Sequence, residues 1–212
     1  EFGMISKEEL SKEKCNSNKN EQFSVLSAKF IDFYERIKRT AQIITLKDLG
    51  AILSYTGVDK DSFVIDAGSG SGASACFFGH YVKSVVTYEI NENHLKCTEH
   101  NIKMLGLDNV TVKNKDVYSG FDETEADLII LDIPDPLKCL EHICRALKRG
   151  GFFVAYNPQI TQHVDIIKSL PEGLIHVKTI EIIEREWVID QKKARPDFGL
   201  GHTGFLSFFR RV

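Results

Sequence analysis

The chain has 212 residues and a formal net charge of −3 at pH 7. This length suits one domain with a single core, and the weakly negative charge argues against a protein that binds nucleic acid mainly by nonspecific electrostatics. No apolar run approaches the roughly 20 residues of a membrane-spanning helix, and no signal-peptide pattern precedes the domain. The 5 cysteines lack C-x-x-C spacing, so we expect reduced thiols in a cytoplasmic protein and no metal site.

The N-terminal residues differ in character from the rest of the chain. Residues 1–22 are rich in Lys, Glu, Asn and Ser, and residues 1–3 precede the first Met in the manner of a cloning remnant. We therefore predict a polar arm over residues 1–22 and one folded domain over residues 23–212. Within residues 23–39, aromatic and aliphatic side chains recur at helical spacing, which predicts an amphipathic helix.

Helical and strand-like patterns then alternate along the chain. Thr45 to Asp48 resembles a capping box, opening a helix that Gly57 ends. Further helices are predicted over residues 73–81, 95–105, 137–147 and 164–170. Strands are predicted over residues 62–66, 84–90, 110–116, 126–132, 152–156, 178–189 and 204–210.

This order of elements predicts the fold class. Strands that alternate with helices form a parallel sheet with right-handed crossovers. Gly150 and Gly151 predict a sharp break before the fifth strand, and the last two strands, joined without a helix, predict an antiparallel hairpin. We therefore predict an α/β protein with a Rossmann-like, doubly wound, mostly parallel seven-stranded sheet and a C-terminal antiparallel hairpin. That layout is typical of class I methyltransferases rather than dinucleotide dehydrogenases.

A glycine-rich loop lies where the first strand of this sheet meets its helix. Residues 64–73 read V-I-D-A-G-S-G-S-G-A, and such glycines let the backbone turn sharply and approach a ligand. Asp66 precedes the loop, where its carboxylate can order the loop or meet an ammonium group through water. The loop lacks the Lys of a Walker motif, which disfavours nucleoside triphosphate hydrolysis.

Two further acids follow the next two strands. Glu89 is placed to accept both ribose hydroxyls of a nucleoside, and Asp116 to accept from an adenine amino group. Either acid alone is as compatible with a solvated strand end as with a ligand contact. Acids at successive strand ends favour one nucleoside crevice, because ligands of such sheets bind at the carboxyl ends of the strands.

The fourth strand ends in the sequence D-I-P-D-P, residues 132–136. Methyl transfer is an in-line displacement, so an enzyme mainly positions the nucleophile and matches the developing charge. The Asp132 carboxylate suits alkylation of a ring nitrogen such as adenine N1, because it can accept from the exocyclic amine and stabilise the cationic product. An ordinary strand-to-helix turn explains the same residues equally well, since Asp and Pro favour turns and helix starts.

These motifs carry a resemblance to the tRNA adenine-58 N1-methyltransferases. Residues 132–136 resemble the D-x-P-x-P motif of that family, and residues 39–42 are similar to its R-x-x-Q segment. Residues 186–187 (E-W), 195–196 (R-P) and 201–206 (G-H-T-G-F-L) resemble its C-terminal signature, which is the most specific feature of the chain. Family members begin with a small β-rich domain, and we expect that domain to be absent here because residues 1–22 lack a strand pattern.

The resemblance implies that residues 23–212 are the catalytic domain of a methyltransferase that uses S-adenosylmethionine, acts on tRNA and forms a homo-oligomer, by resemblance a tetramer. It implies that Asp132 is the catalytic acidic residue near the target base. The implied cofactor-binding residues are Gln42, Asp66, Gly68, Ser69, Gly70, Ser71, Gly72, Ala73, Glu89, Ile90, Asp116, Val117 and Asp132. The implied residues of the target-base pocket or the tRNA approach are Tyr156, Gln159, Arg195, His202 and Thr203.

The implied product is 1-methyladenosine at position 58 of the tRNA T-loop, and methylation at position 57 stays open. The first alternative is a small-molecule methyltransferase of the precorrin-modifying type, whose glycine loop looks much like this one. The D-x-P-x-P and G-H-T-G-F segments do not belong to that pattern. The second alternative is a noncatalytic tRNA-binding subunit, which the intact glycine loop and its acids disfavour.

Overall fold

A computed structural model describes residues 2–199 and 201–212. The chain divides into two compact units, Glu1–Arg36 and Ile37–Val212. Among the described residues, no helix is both long enough and apolar enough to cross a membrane.

The first unit contains more regular structure than its composition predicts. Strands β1 (Lys14–Asn16) and β2 (Gln22–Ser24) pair antiparallel, with Cys15 opposite Phe23. The expectation that residues 1–22 lack strands is therefore wrong. In these short strands, exposed polar residues flank one apolar position. Because most positions are polar, the sequence does not show that the two segments pair.

The helix predicted over residues 23–39 is much shorter in the structure. Helix α1 covers only Phe30–Tyr34. Residues at both ends of the predicted helix have other backbone partners, since residues 22–24 belong to β2 and Lys38 is held by Asn101. The Lys38 N–H donates to Asn101 Oδ1 at 2.9 Å, and the Lys38 carbonyl accepts from Asn101 Nδ2 at 2.8 Å.

The second unit is built on a seven-stranded sheet. Its strands are β3 (Phe63–Ala67), β4 (Ser84–Glu89), β5 (Val110–Asn114), β6 (Ala126–Leu131), β7 (Leu147–Asn157), β8 (Leu174–Glu181) and β11 (Phe205–Arg211). In space the order is β5-β4-β3-β6-β7-β11-β8, in which β3 to β7 are parallel and β11 runs antiparallel to both of its neighbours. The predicted fold class is confirmed, including the antiparallel end of the sheet.

One helix precedes the sheet, and the others connect strands of the sheet. They are α2 (Leu46–Thr56), α3 (Ala73–Tyr81), α4 (Glu92–Leu105), α5 (Leu140–Ala146) and α6 (Ile160–Lys168). Gly57 ends α2, as predicted, and Gly106 ends α4, both in the left-handed conformation. The capping box predicted at Thr45 does not form: its hydroxyl donates to the Asp48 carboxylate at 2.9 Å instead of capping a backbone N–H.

Three predicted boundaries need correction. Gly150 and Gly151 do not interrupt a strand, because β7 begins at Leu147 and accommodates them in an irregularity of its pairing with β6. The predicted helix over residues 137–147 is a 3-10 turn (Pro136–Cys139) followed by α5, since the prolines around Asp135 favour a tight turn. The strand predicted over residues 178–189 is two strands, because the chain leaves the sheet after Glu181 and forms a separate hairpin of β9 (Trp187–Ile189) with β10 (Ala194–Pro196).

The core lies on both faces of the parallel strands. Ile65, Ile129 and Ile130 are fully buried, as is Phe153 on the neighbouring strand. These near-continuous apolar strands are typical of a parallel sheet that is covered by helices on both sides. The burial fixes the strand ends, and with them the loops at the carboxyl edge of the sheet.

Candidate functional site

A cavity of about 400 Å³ opens at the carboxyl ends of the parallel strands. This is the edge where sheets of this class bind ligands. Its lining residues are Ala41, Gln42, Gly68, Gly70, Tyr88, Glu89, Ile90, Asn91, His94, Lys115, Asp116, Val117, Tyr118, Asp132, Ile133 and Pro134. The cavity therefore gathers the glycine loop, both predicted nucleoside acids and the Asp132 segment.

Glu89 is held rigidly at the end of β4. Its Oε2 accepts from the Gly70 N–H at 2.9 Å, and its Oε1 accepts from the N–H groups of Ile90 and Asn91, also at 2.9 Å. His94 Nδ1 lies 3.6 Å from Oε2. Because each carboxylate oxygen has two lone pairs, Oε2 keeps acceptor capacity for a ligand hydroxyl in the cavity.

Asp66 and Asp132 form a second acidic centre at the ends of β3 and β6. Asp66 is buried, its Oδ2 accepts from Thr87 Oγ1 at 2.6 Å, and its Oδ1 has no hydrogen-bond partner among the described residues. Burial raises the pKa of Asp66. Burial, followed by the charge of Asp66, raises the pKa of Asp132 to about 7. Two close carboxylates in a desolvated site favour a cationic ligand, which would stabilise their charged forms.

An irregular segment over residues 38–44 lies against the glycine loop. Ser71 Oγ accepts from the N–H of Thr40 at 2.8 Å and from that of Ala41 at 3.1 Å. Asn101 is fully buried, and its Nδ2 donates to the Ser71 carbonyl at 2.8 Å as well as to Lys38. These bonds place Ala41 and Gln42 in the cavity wall, so Ser71 supports the site without lining the cavity.

The other predicted cofactor residues surround this wall. A narrow cleft beside the cavity is lined by residues that include Asp66, Ser69 and Ala73. Ser69 Oγ is hydrogen-bonded to Thr98 Oγ1 at 3.0 Å, and Gly72 packs against the same threonine. The structure thus brings the predicted loop together, and within it Ser71 and Gly72 line neither the cavity nor the cleft.

Several cavity residues were not predicted from the sequence. They are Ala41, Tyr88, Asn91, His94, Lys115, Tyr118, Ile133 and Pro134. Most stand within a few positions of a predicted strand end, and that position is the signal that could have identified them.

Asp116 itself is exposed, and its Oδ1 accepts from the Tyr118 N–H at 2.9 Å, which leaves its other oxygen available to a ligand.

The predicted substrate residues do not line the cavity. Thr203 Oγ1 accepts from Lys47 Nζ at 2.7 Å and donates to Asp48 Oδ2 at 3.0 Å, and the Tyr156 ring lies against Gly204. His202 joins the edge strand to the loop after β7, since Nδ1 bonds Glu181 at 2.6 Å and Nε2 bonds the Pro158 carbonyl at 2.8 Å. The bond to Glu181, then the one to Pro158, raises the pKa of His202. Gln159 precedes α6, and Arg195 lies on the separate β9–β10 hairpin.

Comparison with known proteins gives consistent results. Residues 35–202 match the sequence profile of the tRNA methyltransferase complex GCD14 subunit. The tRNA (adenine(57)-N(1)/adenine(58)-N(1))-methyltransferase TrmI of Methanocaldococcus jannaschii is 33% identical over 226 residues, spanning 92% of this chain and 80% of the relative. The tRNA (adenine(58)-N(1))-methyltransferase TrmI of Thermus thermophilus is 30% identical over 198 residues, spanning 90% and 78%. The crystal structure of a SAM-dependent O-methyltransferase from Thermotoga maritima aligns with a TM-score of 0.86 and 31% identity, covering 100% of this chain and 83% of that one.

Proposed function

We propose that this chain, which belongs to the family of the tRNA methyltransferase complex GCD14 subunit, transfers the methyl group of S-adenosylmethionine to N1 of adenine 58 in the tRNA T-loop. The observation that carries the proposal is the position of Asp132, which lines the same cavity as Glu89 and Asp116. Its relatives named TrmI act on adenine 58, and the archaeal one also on adenine 57. Methylation of adenine 57 is a separate outcome of the experiment below.

The residues of the cavity fit S-adenosylmethionine. This cofactor carries a sulfonium and an ammonium group. Beside Asp132, the site presents the buried Asp66 Oδ1, which has no hydrogen-bond partner in the part of the chain that the structure describes. Glu89 Oε2 has acceptor capacity for a ribose hydroxyl, and Asp116 has a free carboxylate oxygen for the adenine amino group. When bound, the cofactor supplies an electrophilic methyl group. Asp66, Glu89, Asp116 and Gln42 would hold it.

Asp132 performs two tasks in this proposal. Its carboxylate accepts from the exocyclic amine of the target adenine, which orients N1, and it stabilises the positive charge that develops on the ring. Its backbone N–H donates to the Ala67 carbonyl at 3.0 Å, which fixes the start of the segment between β6 and α5. The target base has to leave its stack to reach this acid, as enzymes acting on bases require.

The remaining predicted residues extend the proposal beyond the cavity. We infer that Tyr156, Gln159, Arg195, His202 and Thr203 lie on the tRNA side of the site. We also infer a homo-tetramer, on the basis of the family resemblance. Light scattering at several protein concentrations tests the assembly, and a mass other than four times that of the chain would contradict it.

The decisive experiment is incubation with labelled S-adenosylmethionine and an unmodified tRNA transcript, followed by nucleoside analysis. We expect 1-methyladenosine from the wild-type transcript and none from a transcript in which adenine 58 is replaced. A second transcript lacking adenine 57 reports on that position. Asp132→Ala is expected to abolish product while retaining cofactor binding. Cofactor binding without any tRNA product, or full activity in Asp132→Ala, would contradict the proposal.

A further inference from the structure

Two prolines reduce the hydrogen-bonding capacity of the segment that carries Asp132. Pro134 and Pro136 have no backbone N–H group, so neither can donate a hydrogen bond that would fix the segment. The Asp132 N–H fixes the start of the segment at the end of β3. Beyond that point, two side-chain amides bond the carbonyl groups of Ile133 and Pro134.

These amides belong to Asn157, the last residue of β7, and to Gln162, in the first turn of α6. Asn157 Nδ2 donates to the Ile133 carbonyl at 3.2 Å, and Gln162 Nε2 donates to the Pro134 carbonyl at 3.3 Å. Asn157 is buried, with an exposed fraction of 3%. Because β7 pairs in parallel with β6, the end of β7 lies beside the segment that follows β6.

A second buried hydrogen bond fixes the backbone of Asn157. His163 Nε2 lies 3.3 Å from the Asn157 carbonyl, and His163 Nδ1 lies 2.7 Å from Ser207 Oγ. A carbonyl only accepts, so Nε2 carries the proton of the ring. Burial lowers the pKa of His163, which keeps the ring neutral at neutral pH, and Nδ1 therefore accepts from the Ser207 hydroxyl. Strand β11 thus supports Asn157 through His163.

The oxygen atoms of the two amides argue against a role in packing alone. Asn157 Oδ1 and Gln162 Oε1 are buried and have no hydrogen-bond partner among the residues that the structure describes. A buried acceptor without a partner costs free energy that an apolar side chain would avoid. Reversing the Asn157 amide would place its oxygen against the Ile133 carbonyl oxygen, and two acceptors repel each other. The bonds that the two amides donate to the segment are therefore the feature that accounts for them.

We propose that Asn157 and Gln162 are positioning residues for methyl transfer, which hold the segment after β6 so that Asp132 keeps its place in the cavity. This inference rests on the proposed function. Neither amide lines the cavity, so both act through the segment and not by contact with the cofactor or the target base. Ile133 and Pro134 line the cavity together with Asp132, so a shift of their carbonyls changes the cavity wall at the proposed catalytic acid.

The test compares Asn157→Ala and Gln162→Met with wild type in the tRNA assay. Asn157→Ala removes the bond to the Ile133 carbonyl, so we expect kcat to fall by about tenfold or more. Gln162→Met keeps the length of the side chain and removes its amide, and we expect kcat to fall by about threefold or more. Affinity for S-adenosylhomocysteine, measured by calorimetry, should change by less than about threefold in both variants, because Glu89 and Asp116 lie at the ends of other strands.

The pH profile of kcat/KM for S-adenosylmethionine separates positioning from a general loss of stability. Burial, followed by the charge of Asp66, raises the pKa of Asp132 to about 7, so the wild-type profile should rise with a midpoint near pH 7. A displaced Asp132 is better solvated and farther from Asp66, so the midpoint should move to lower pH in Asn157→Ala. A lower kcat with the wild-type midpoint would show that Asp132 has not moved and would overturn the inference.

Asn109→Ala is the matched control, because Asn109 Nδ2 also donates to backbone carbonyls, in a region away from the cavity. Its variant should keep the wild-type kcat and pH profile. If Asn157→Ala fails to fold, Gln162→Met carries the test, since Gln162 is only half-buried on α6. Wild-type kcat in both test variants, or an equal fall of kcat in Asn109→Ala, would overturn this inference alone. A wild-type protein that makes no 1-methyladenosine would overturn the proposed function and this inference with it.

Discussion

Gly68 and Asp132 approach so closely that a β carbon on Gly68 would lie 2.2 Å from the Asp132 carbonyl oxygen. Gly68 directly follows strand β3, and Asp132 directly follows its neighbour β6. Gly68 also has a φ of +90°, which favours glycine. The glycine loop and the proposed catalytic acid are therefore positioned by one backbone contact.

This contact predicts that Gly68→Ala displaces Asp132 and disables the site. We expect loss of cofactor binding and of tRNA methylation, because the new methyl group has to push the Asp132 backbone away. Gly173→Ala is the control: Gly173 has a φ of +93°, and a β carbon there would meet nothing within 4 Å. Calorimetric titration with S-adenosylhomocysteine measures the effect. Equal losses of affinity in both variants would show that backbone strain, and not the contact with Asp132, causes the defect.

The raised pKa of Asp132 predicts that ionisation of this carboxyl group destabilises the folded protein at neutral pH. The pKa of this group is 3.8 ordinarily and about 7 in the fold, so the folded state binds its proton more tightly than the unfolded state. The contribution of Asp132 to the free energy of unfolding is therefore greatest below pH 4. It decreases as the pH rises towards 7 and is constant at higher pH. Asp132→Asn should raise the free energy of unfolding by on the order of 4 kcal/mol at pH 8 and leave it unchanged at pH 4. Urea unfolding at both pH values checks this, and an equal difference at both would exclude titration as the cause.

Glu89 should control cofactor affinity through its charge. Three backbone N–H groups orient the carboxylate. In Glu89→Gln, one oxygen becomes an N–H₂ group that faces donors, so we expect affinity for S-adenosylhomocysteine to fall by about 10- to 100-fold. Glu92→Gln, on the exposed first turn of α4, removes the same charge outside the cavity and should bind normally. If both variants lose affinity to a similar extent, the effect of Glu89 comes from the net charge of the protein and not from contact with the ligand.

The sequence allowed the parallel half of the fold to be predicted closely, and the reason is local. The predicted helix over residues 73–81 agrees with α3 residue for residue, because a glycine loop precedes it and a buried strand follows it. Strand ends were predicted to within a few residues, which placed Glu89, Asp116 and Asp132 at one edge. The alternation of apolar strands with helices is visible in the sequence, and it predicts the positions of these strand ends directly.

Long-range partners explain what could not be predicted. Asp48 was predicted as part of a helix cap, and no local pattern reveals that Thr203, 155 positions away, is its partner. Likewise, no local pattern at Lys38 shows that Asn101 is the partner of its backbone N–H and carbonyl. Such contacts depend on how the sheet brings distant segments together.

Asn101 predicts how the segment over residues 38–44 contributes to binding. Its side chain bonds the N–H and the carbonyl of Lys38 and the carbonyl of Ser71, so Asn101→Ala should release the segment that carries Ala41 and Gln42. We expect a loss of about 1–3 kcal/mol in stability and a roughly tenfold loss of cofactor affinity. Asn109→Ala is the matched control, because Asn109 Nδ2 also bonds backbone carbonyls away from the cavity, those of Gly79 at 2.9 Å, Val82 at 3.0 Å and Lys83 at 3.4 Å. Its variant should lose stability and keep cofactor affinity, as measured by urea unfolding and calorimetry. If both variants retain affinity, residues 38–44 do not contribute to cofactor binding.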